Sequence, residues 1–484
     1  MLKIFTKIKL ILILILFVSG CSLQKTISNK DFIVEKTNIK IDGKIIKNDS
    51  LKELITFEKN SKFLGIPISA LIASSAKKNS DSLFKKWISK KNKRENLKNI
   101  FSEKQLFQIN KYYNNFNDWK KNNGEKISLV DSSKINKSKE NISLYFKNIG
   151  YLDNSVSFTV NKKAQKKASI DLNVKQGPRY YIGNIVSKIE SKIIDSIYNK
   201  NKFNSFLKEN EFFITENFDL ERNRLYNLFR NNGVYGFQIN SIVFSVKIDS
   251  TRNNYSLPVD IIINGDDYEI YKIRNINLEE IDNEPKFKFN KGFLQSKIKF
   301  RKNSVFNDSL RKSTLKSLND LDLFNFPSIQ YTEASHNTLD ANIILNNKKK
   351  FGLGFGFDLK QSDIEDIGIA FENRFKSRNF FKNGENLNLS ASGSIGKSGN
   401  KTISQTNYDL TINFPRFLFF ENYTDNLENK TTFLSFGSSN QKNIGLDRNS
   451  FKLDFNYGWM KNNKFIDFSA IQIELINNKN IENY

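Results

Sequence analysis

The stretch FGLGFGFDLK, residues 351–360, places two kinds of residue in strict alternation. The two sets are Gly352, Gly354 and Gly356 on the one hand, and Leu353, Phe355, Phe357 and Leu359 on the other. This period of two predicts a β-strand with one apolar face and one bare face. The chain before it repeats a mixed helix and strand pattern, whereas the chain after it alternates in segments separated by polar turns. We therefore expect a transmembrane β-barrel to begin at Phe351.

Segments beyond residue 360 have the same alternation, and the sequence predicts seven strands in all. In the second segment, Ile367, Ile369 and Phe371 alternate with small or polar residues. The further segments start at Leu387 and then cover Tyr408–Phe414, Thr431–Gly437, Leu453–Trp459 and Phe465–Leu475. Turns are predicted at Asn383-Gly384 and Gly399-Asn400. Soluble β-sandwiches contain strands of similar appearance, so these segments alone leave that alternative open.

The first 20 residues have the pattern of a secretory signal. Lys3, Lys7 and Lys9 precede the apolar run Leu10–Val18, and small residues then lead to Cys21. The run is too short for a spanning helix, which needs about 20 apolar residues. The tetrapeptide that ends at the cysteine resembles a bacterial lipobox, which implies acylation of Cys21 as the first mature residue. The alternative is an ordinary cleavage site followed by an incidental cysteine.

The composition excludes several classes of site. The chain has one histidine, His336, and one cysteine, Cys21, so it cannot assemble a zinc site, a disulfide scaffold or a histidine-based catalytic triad. The formal net charge of +25 comes from basic residues spread along the whole chain, which argues against nucleic-acid binding. We expect no enzyme activity, no cofactor and no metal. An anionic membrane surface remains a partner of matching charge.

Two segments share the pattern G-x-x-Y-x-I-x-x-I, the first from Gly177 and the second from Gly265. A second matched piece lies upstream of each, because Phe146–Gly150 and Phe229–Gly233 both end a segment with helical spacing. The final glycine suits a left-handed helix stop, and an alternating strand follows it in each copy. The chain therefore repeats a unit of helix, strand, turn and strand.

A third, degenerate copy of this unit follows. Leu315, Leu318 and Leu321 have helical spacing, and Ile343–Leu345 fits the closing strand. Asp322 stands where the other two copies have glycine. Three units thus precede residue 351.

Units with this order resemble POTRA domains, the periplasmic modules of the BamA and TamA outer-membrane protein assembly superfamily. The long insert of the first unit contains Phe116-Asn117-Asp118-Trp119. It resembles the first-domain insert of TamL, the lipoprotein branch of TamA-like proteins, and we also expect a helix here that packs Phe116 and Trp119 into a core. The expected fold class is α+β POTRA repeats followed by an antiparallel transmembrane β-barrel, of which this chain holds only the N-terminal part. The expected divisions are a signal peptide at 1–20, a tether at 21–36, POTRA units at 37–180, 181–266 and 267–347, and barrel strands at 348–484.

The resemblance implies an outer-membrane insertase that makes and breaks no covalent bonds. Its POTRA units would capture unfolded outer-membrane proteins by strand addition, and its first barrel strand would exchange pairing with the client. The expected gate-strand residues are Gly352, Gly354, Gly356, Phe355 and Phe357. The expected location is the outer membrane of a Gram-negative bacterium, with the lipid at Cys21, the POTRA units in the periplasm and a TamB-like inner-membrane protein as a further partner. Two alternatives remain: a BamA-like insertase, and a lipid-anchored POTRA scaffold without insertase activity.

Barrels of this superfamily have sixteen strands and an Arg-Gly-Phe or Arg-Gly-Tyr element in the sixth extracellular loop. This sequence has no Arg-Gly pair and predicts only seven strands. Because each unpaired backbone group in lipid costs several kcal/mol, seven strands cannot close a barrel. We therefore expect the chain to be truncated, or to be one half of a split barrel.

Overall fold

The computed structural model describes residues 27–57, 59–63, 67–89, 101–248, 254–281, 287–290, 292–360, 367–398, 401–419, 427–443, 446–461 and 464–480. The signal segment and the expected lipidation site, Cys21, lie outside these residues. The chain divides into two compact units, and most of the boundary between them falls between residues 187 and 262. Each unit is described separately below.

The first α+β repeat combines a four-stranded sheet with a helix. The strands are β1 (Ile33–Ile41), β2 (Lys44–Ile45), β3 (Ser155–Lys163) and β4 (Lys167–Lys175), in the order β2-β1-β4-β3. β1 runs parallel to β4, and β3 runs antiparallel to it. Helix α5 (Ser132–Asn148) buries Ile142 and Phe146 against Ile170 and Leu172 of β4. β1 begins at Ile33, inside the residues expected for the tether.

A helical insert separates β1 and β2 from α5. Its helices are α1 (Asp49–Glu53), α2 (Ile68–Ser74), α3 (Ser80–Ile88) and α4 (Glu103–Asn123). Ser102 and Gln105 form a capping box that fixes the start of α4, since each side chain satisfies an amide at the helix N-terminus. The predicted helix around residues 116–119 is therefore confirmed.

The expected burial of the two aromatic side chains on α4 is wrong. Phe116 is 54% exposed and Trp119 is 49% exposed, and their rings stack on each other at 5.8 Å. The inner face of α4 is polar instead: Asn117 is buried and accepts a hydrogen bond from the Lys77 amide at 3.0 Å, and Asn114 accepts one from the Ser80 hydroxyl at 2.6 Å. The packing of this helix thus uses asparagine hydrogen bonds, which helical periodicity of apolar residues does not reveal.

The second repeat contains β5 (Tyr181–Ile189), α6 (Lys192–Asn201), α7 (Thr215–Asn231), β6 (Ile242–Val246) and β7 (Ser256–Ile263). Its strands have the order β5-β7-β6. The shared sequence pattern has a local structural meaning, because Gly177 and Gly265 both adopt positive φ, +72° and +103°. The tyrosine of each pattern then binds an upstream loop: the Tyr180 hydroxyl donates to Asp153 at 2.7 Å, and that of Tyr268 hydrogen-bonds Ser241 at 2.9 Å.

The third repeat has the same strand pairing as the first. Its elements are β8 (Lys272–Ile281), α8 (Phe293–Lys297), α9 (Asp308–Asp320), β9 (Ser328–Ala334) and β10 (Thr338–Asn346). The order is β8-β10-β9, with β8 parallel and β9 antiparallel to β10. Leu318 and Leu321 pack with Ile343 and Leu345 of β10 in one apolar core. The prediction of a degenerate third copy is therefore confirmed.

The C-terminal sheet is an antiparallel meander of seven strands in the described residues, each paired with the next along the chain. The strands are β11 (Phe351–Lys360), β12 (Ile367–Arg378), β13 (Asn386–Ser398), β14 (Lys401–Phe414), β15 (Glu428–Asn443), β16 (Leu446–Lys461) and β17 (Lys464–Asn480). This confirms the predicted fold class, α+β repeats followed by an antiparallel sheet that matches the N-terminal part of a barrel. The predicted turn at Gly384 is confirmed with φ +80°, whereas the predicted turn at residues 399–400 lies outside the described part of the chain.

The two faces of this sheet differ in polarity, as the alternation predicts. The strand register aligns one row of apolar residues across five strands: Leu389, Leu410, Phe436, Leu453 and Ile473. The adjacent row, on the other face, is Ser390, Asp409, Gly437, Lys452 and Glu474. One apolar face and one polar face are what a strand between lipid and an aqueous lumen requires. None of the helices in the described ranges is both long and apolar enough to cross a membrane.

Candidate functional site at the start of the seven-stranded sheet

The first strand of the sheet, β11, is an edge strand. All ten of its residues pair with β12, and no other described strand pairs with its outer edge. The apolar side chains on one face are open to solvent, with Phe355 81% exposed and Phe357 59% exposed. An edge strand of this kind presents a row of backbone donors and acceptors beside an apolar face.

The other face of β11 carries the three predicted glycines, and each faces a charged residue of β12. Gly352 pairs with Lys376, and Gly354 and Gly356 pair with Arg374 and Glu372. A methyl group added at any of these glycines would meet no atom closer than 3.5 Å, which is ordinary van der Waals contact. Space therefore does not require glycine here. The consequence of glycine is that these three positions make no side-chain contacts with β12, so this part of the strand bends at low cost.

The structure thus places the five predicted gate residues on one strand but on opposite faces. The glycines share the face of Arg374 and Glu372, whose side chains form an ion pair with Nε to Oε1 at 2.6 Å. Phe357 lies on the apolar face and contacts Phe371 of β12, with ring centroids 5.4 Å apart.

A second feature, which the sequence did not identify as functional, joins the end of α9 to this strand pair. Asp322 adopts a left-handed conformation with φ +54°. Its carboxylate forms ion pairs with Lys348, which precedes β11, and with Lys376 of β12. Its carbonyl accepts a hydrogen bond from Arg378 Nε at 3.0 Å. The Asp322 junction, meaning these four residues, therefore attaches the third repeat to the first two strands.

The electrostatics of this junction favour the ionised acid. Burial alone would raise the pKa of Asp322, but hydrogen bonds from Lys348 and Lys376 outweigh burial and hold the pKa below its usual range. A neighbouring contact adds to the connection, because Asn386 Nδ2 of β13 donates to the Leu321 carbonyl at 3.0 Å. The residues that directly follow α9 thus bind the segment before β11, the strand β12 and the strand β13.

The turn between β12 and β13 is packed against the same repeat. Asn379 Nδ2 donates to the Lys288 carbonyl at 2.9 Å, and Asn379 Oδ1 accepts from the Gly384 amide at 2.9 Å. Glu385 is fully buried and pairs with Arg416 at 2.8 Å. A buried carboxylate needs such a partner, so this pair fixes the turn rather than offering a reactive group.

The α+β repeats contain further exposed strand edges. In the described residues, β3 is an outer strand of the first sheet, β6 of the second and β9 of the third. These edges are the candidate sites for strand addition by an extended peptide. The described residues contain no group of three or more acidic, cysteine or histidine side chains arranged to hold a metal ion.

The sequence signal for the Asp322 junction was present but ambiguous. An acidic residue in place of a repeat glycine, together with Lys376 and Arg378 in β12, indicates charge pairing only once the strand register is known. The expected lipidation site, Cys21, lies outside the described residues and stays a prediction.

Comparison with solved structures gives matches of low sequence identity. The chain is similar to POTRA domains 3–5 of Haemophilus influenzae BamA, at 11% identity over 66% of this chain and 99% of that one, with a TM-score of 0.30. It is similar to Haemophilus ducreyi BamA lacking POTRA domains 1–3, at 12% identity over 58% of this chain and 48% of that one, with a TM-score of 0.37. It is also similar to CdiB from Acinetobacter baumannii, at 11% identity over 63% of each chain, with a TM-score of 0.26. No family model and no curated protein sequence matches the chain.

Proposed function

We propose that this chain is a component of outer-membrane protein assembly, of the TamL type within the BamA and TamA superfamily. In this proposal it captures unfolded clients by strand addition and templates their insertion at β11. The observation that carries the proposal is the outer edge of β11, which no other described strand pairs, on a strand of ten residues with an exposed apolar face. A tilted transmembrane strand needs about 9–11 residues, so β11 has the length that a lipid-facing template requires.

The chemistry of the exchange is the replacement of one set of backbone hydrogen bonds by another. In lipid each unpaired backbone group costs several kcal/mol, so a bare edge at membrane depth attracts any extended chain that can pair with it. Pairing through the backbone is largely indifferent to client sequence. The apolar row of β11 then continues onto the client strand, because residues opposite each other across a ladder share a face.

The glycine face gives β11 the flexibility that repeated exchange requires. A strand with side chains packed on both faces would lose those contacts whenever it bends away from β12. At Gly352, Gly354 and Gly356 there are no side chains to lose. The Asp322 junction meanwhile holds β12 and Lys348, which precedes β11, so that bending is confined to β11 itself.

Clients would bind the α+β repeats first, by strand addition at the edges of β3, β6 and β9, and reach the sheet afterwards. Lipid on Cys21 would anchor the first repeat to the outer membrane, provided that the anchor consists of more than one acyl chain. The proposed location is the outer membrane with the repeats in the periplasm, and a TamB-like inner-membrane protein is a proposed partner. These proposals are supported by the repeat pattern and the lipobox-like tetrapeptide.

Disulfide trapping of a client tests the proposal. In a Cys21→Ser background, which leaves no other cysteine, Gly356→Cys places a thiol on β11 and Ser392→Cys places one on β13. The second variant is a matched control, because Ser392 lies in the same cross-strand row as Gly356, through Glu372, but pairs with a strand on each side. An unfolded outer-membrane protein with a single cysteine is expected to form a mixed disulfide with the β11 variant. Equal yields at both positions would contradict the proposal, and crosslinks confined to the α+β repeats would favour the scaffold alternative.

A further inference from the structure

Helix α4 of the insert in the first repeat has an exposed apolar stripe. The stripe consists of Ile109, Tyr112, Phe116 and Trp119, which recur at intervals of three and four residues, so the helix places them on one face. All four side chains are exposed, and Tyr112 is the most exposed at 72%. We call these four residues the α4 stripe. A contiguous apolar surface of this kind on an exposed helix is a candidate binding surface.

A different face of α4 carries the contacts that hold the insert together. Asn110, Asn114 and Asn117 recur at intervals of four and three residues on this inner face. Asn110 Nδ2 donates to the Asp81 carboxylate at 2.8 Å, and the other two asparagines bind the start of α3 and the segment before it. Because these polar contacts position α4, substitutions in the α4 stripe should leave the insert folded.

The insert also carries an excess of positive charge. Between residues 67 and 123, its described residues include eight lysines and three acidic residues. Two of these acids are already paired with lysines of the insert. Lys104, Lys111 and Lys120 lie on α4 itself, and Lys120 Nζ is 4.6 Å from the centroid of the Phe116 ring. Lysines beside exposed aromatic rings match a membrane surface with anionic headgroups.

The mixture of aromatic rings and lysines distinguishes between two kinds of occupant. Interfaces between proteins are enriched in aromatic residues but depleted of lysine. At a membrane surface, tryptophan and tyrosine lie at the level of the headgroups, and lysine binds anionic headgroups while its aliphatic stem covers apolar surface. The α4 stripe therefore fits a bilayer better than it fits a second copy of the chain or another protein.

The chain enters the first repeat beside the end of this insert. The Val34 amide donates to the Ser128 carbonyl at 2.9 Å, and the Val130 amide donates to the Phe32 carbonyl at 2.9 Å. Eleven residues lie between Cys21 and the start of β1, and a segment of this length spans at most about 40 Å. Lipid on Cys21 would therefore keep α4, which is about 31 Å long, close to the membrane that holds the lipid.

We propose that the α4 stripe binds the surface of an anionic phospholipid bilayer. The aromatic rings of the stripe enter the headgroup region, and Lys104, Lys111 and Lys120 bind lipid phosphates. The helix lies in the plane of the membrane and gives the first repeat an attachment besides its lipid anchor. The inference rests on the proposed function in one respect, because acylation of Cys21 is what keeps the insert near the bilayer.

Brominated phospholipids, which quench tryptophan fluorescence on contact, test the proposal in the full-length chain. The sequence has three tryptophans. Trp87→Phe/Trp459→Phe leaves Trp119 of the stripe, and Trp87→Phe/Trp119→Phe leaves Trp459, which lies on the apolar face of the sheet in β16. Each chain is reconstituted into vesicles of brominated phosphatidylcholine that contain increasing fractions of brominated phosphatidylglycerol.

Two matched variants in the Trp119 background test the role of charge. Lys104→Gln/Lys111→Gln removes two charges from α4 and leaves the lysine that contacts Phe116 in place. The control Lys137→Gln/Lys147→Gln removes two charges from exposed positions of α5, in the same repeat but outside the insert. Circular dichroism verifies that each variant is folded.

The proposal predicts that Trp119 is quenched as phosphatidylglycerol is added and only weakly in phosphatidylcholine alone. At equal phosphatidylglycerol content, the α4 lysine variant should have a ratio of bound to free α4 that is roughly tenfold lower, whereas the control should not change. Equal curves for the two lysine variants would overturn the proposal. So would a Trp119 that stays unquenched at the highest phosphatidylglycerol content, and protection from acrylamide would then show that protein covers the stripe.

Two further readouts distinguish failure of this inference from failure of the proposed function. Quenching of Trp459 reports whether the sheet enters the bilayer, and mass spectrometry of the purified chain reports whether Cys21 is acylated. If Trp459 is quenched and Cys21 is acylated while Trp119 stays unquenched, the α4 stripe does not bind the membrane. If Trp459 stays unquenched, the sheet is not inserted and the proposed function fails, whatever the result at Trp119.

Discussion

The ends of three helices show how the first two repeats differ from the third. Two residues beyond α5, α7 and α9 stand Gly150, Gly233 and Asp322, all with positive φ. In each case the carbonyl of that residue accepts a hydrogen bond from the structure that follows: from the Tyr180 amide at 2.8 Å, from the Tyr271 amide at 2.9 Å, and from Arg378 Nε at 3.0 Å. In all three repeats, therefore, the backbone carbonyl of a residue at positive φ accepts a hydrogen bond just after the helix, from a backbone amide in the first two and from a side chain in the third.

What differs is the space around the Cβ position. A methyl group on Gly150 would lie 2.8 Å from the Phe213 carbonyl oxygen, and one on Gly233 would lie 2.6 Å from Ile270. At the third position a full side chain is present, and its carboxylate binds Lys348, which precedes the sheet, and Lys376 of β12. Close packing against the glycine thus fixes the first two helix ends, through backbone carbonyls at Gly150 and through side chains at Gly233, whereas the third depends on charge.

The largest expected effect comes from Gly150→Ala. The substitution forces a side chain into a left-handed conformation and against a backbone carbonyl, which together cost about 2–4 kcal/mol. Hydrogen exchange of the α5 amides should accelerate accordingly. Gly236→Ala is the control, because Gly236 has no atom within 4 Å of the Cβ position and no positive φ. If both variants exchange alike, close packing does not fix this helix end.

The start of α9 supplies a pH-dependent test of charge in the third repeat. Burial would raise the pKa of Asp308, but hydrogen bonds from Arg311 and Lys312 outweigh burial and hold the pKa at about 2. Because this value lies below the ordinary 3.8, Asp308 stabilises the fold fully above about pH 4, and the stabilisation is lost as the pH falls through about 2. We expect Asp308→Asn to cost about 2 kcal/mol at neutral pH, measured by urea denaturation.

The variant should also be less sensitive to acid between those two pH values. If the stabilities of the wild type and the variant decline in parallel over this interval, Asp308 is not the cause of the pH dependence of stability.

Asp322→Gly tests the third helix end directly. The substitution introduces the glycine that the other repeats have, which removes the backbone strain of a non-glycine residue at positive φ. It also removes the ion pairs to Lys348 and Lys376. Since the carboxylate is partly exposed, we expect a loss of about 1 kcal/mol at low salt that shrinks as salt is added. This loss of stability is measured by hydrogen exchange of the β12 amides near Arg378. A loss that does not change with salt would argue against an electrostatic junction.

The smallest effect is expected at the glycine face of β11. In Gly354→Ala the new methyl group would lie 3.8 Å from Arg374 Cβ, so it fits without displacement. Stability should stay the same or rise by up to about 1 kcal/mol, because alanine restricts the unfolded chain. Client trapping at Gly356→Cys should become slower in this background. A clear loss of stability would mean that the glycine is required by packing.

Periodicity and turn residues predicted much of this fold. The bounds of β11, the seven-stranded sheet and the degenerate third repeat all follow from alternation and helical spacing. The Asp322 junction did not, because its partners lie 26 and 54 residues away and meet only through the strand register. Phe116 and Trp119 were misjudged because asparagines, rather than apolar residues, pack the inner face of α4. The lipid on Cys21 stays a prediction.

Hydrogen exchange along β11 tests the central claim most directly. In an antiparallel pair alternate amides bond the neighbour, so half of the β11 amides bond β12 and the others point to the outer edge, which no other described strand pairs. The proposal predicts that the edge-directed amides exchange rapidly in the protein alone and become protected when an unfolded outer-membrane protein is added, while β13 amides do not change. Edge-directed amides that remain unprotected with client present would contradict the account.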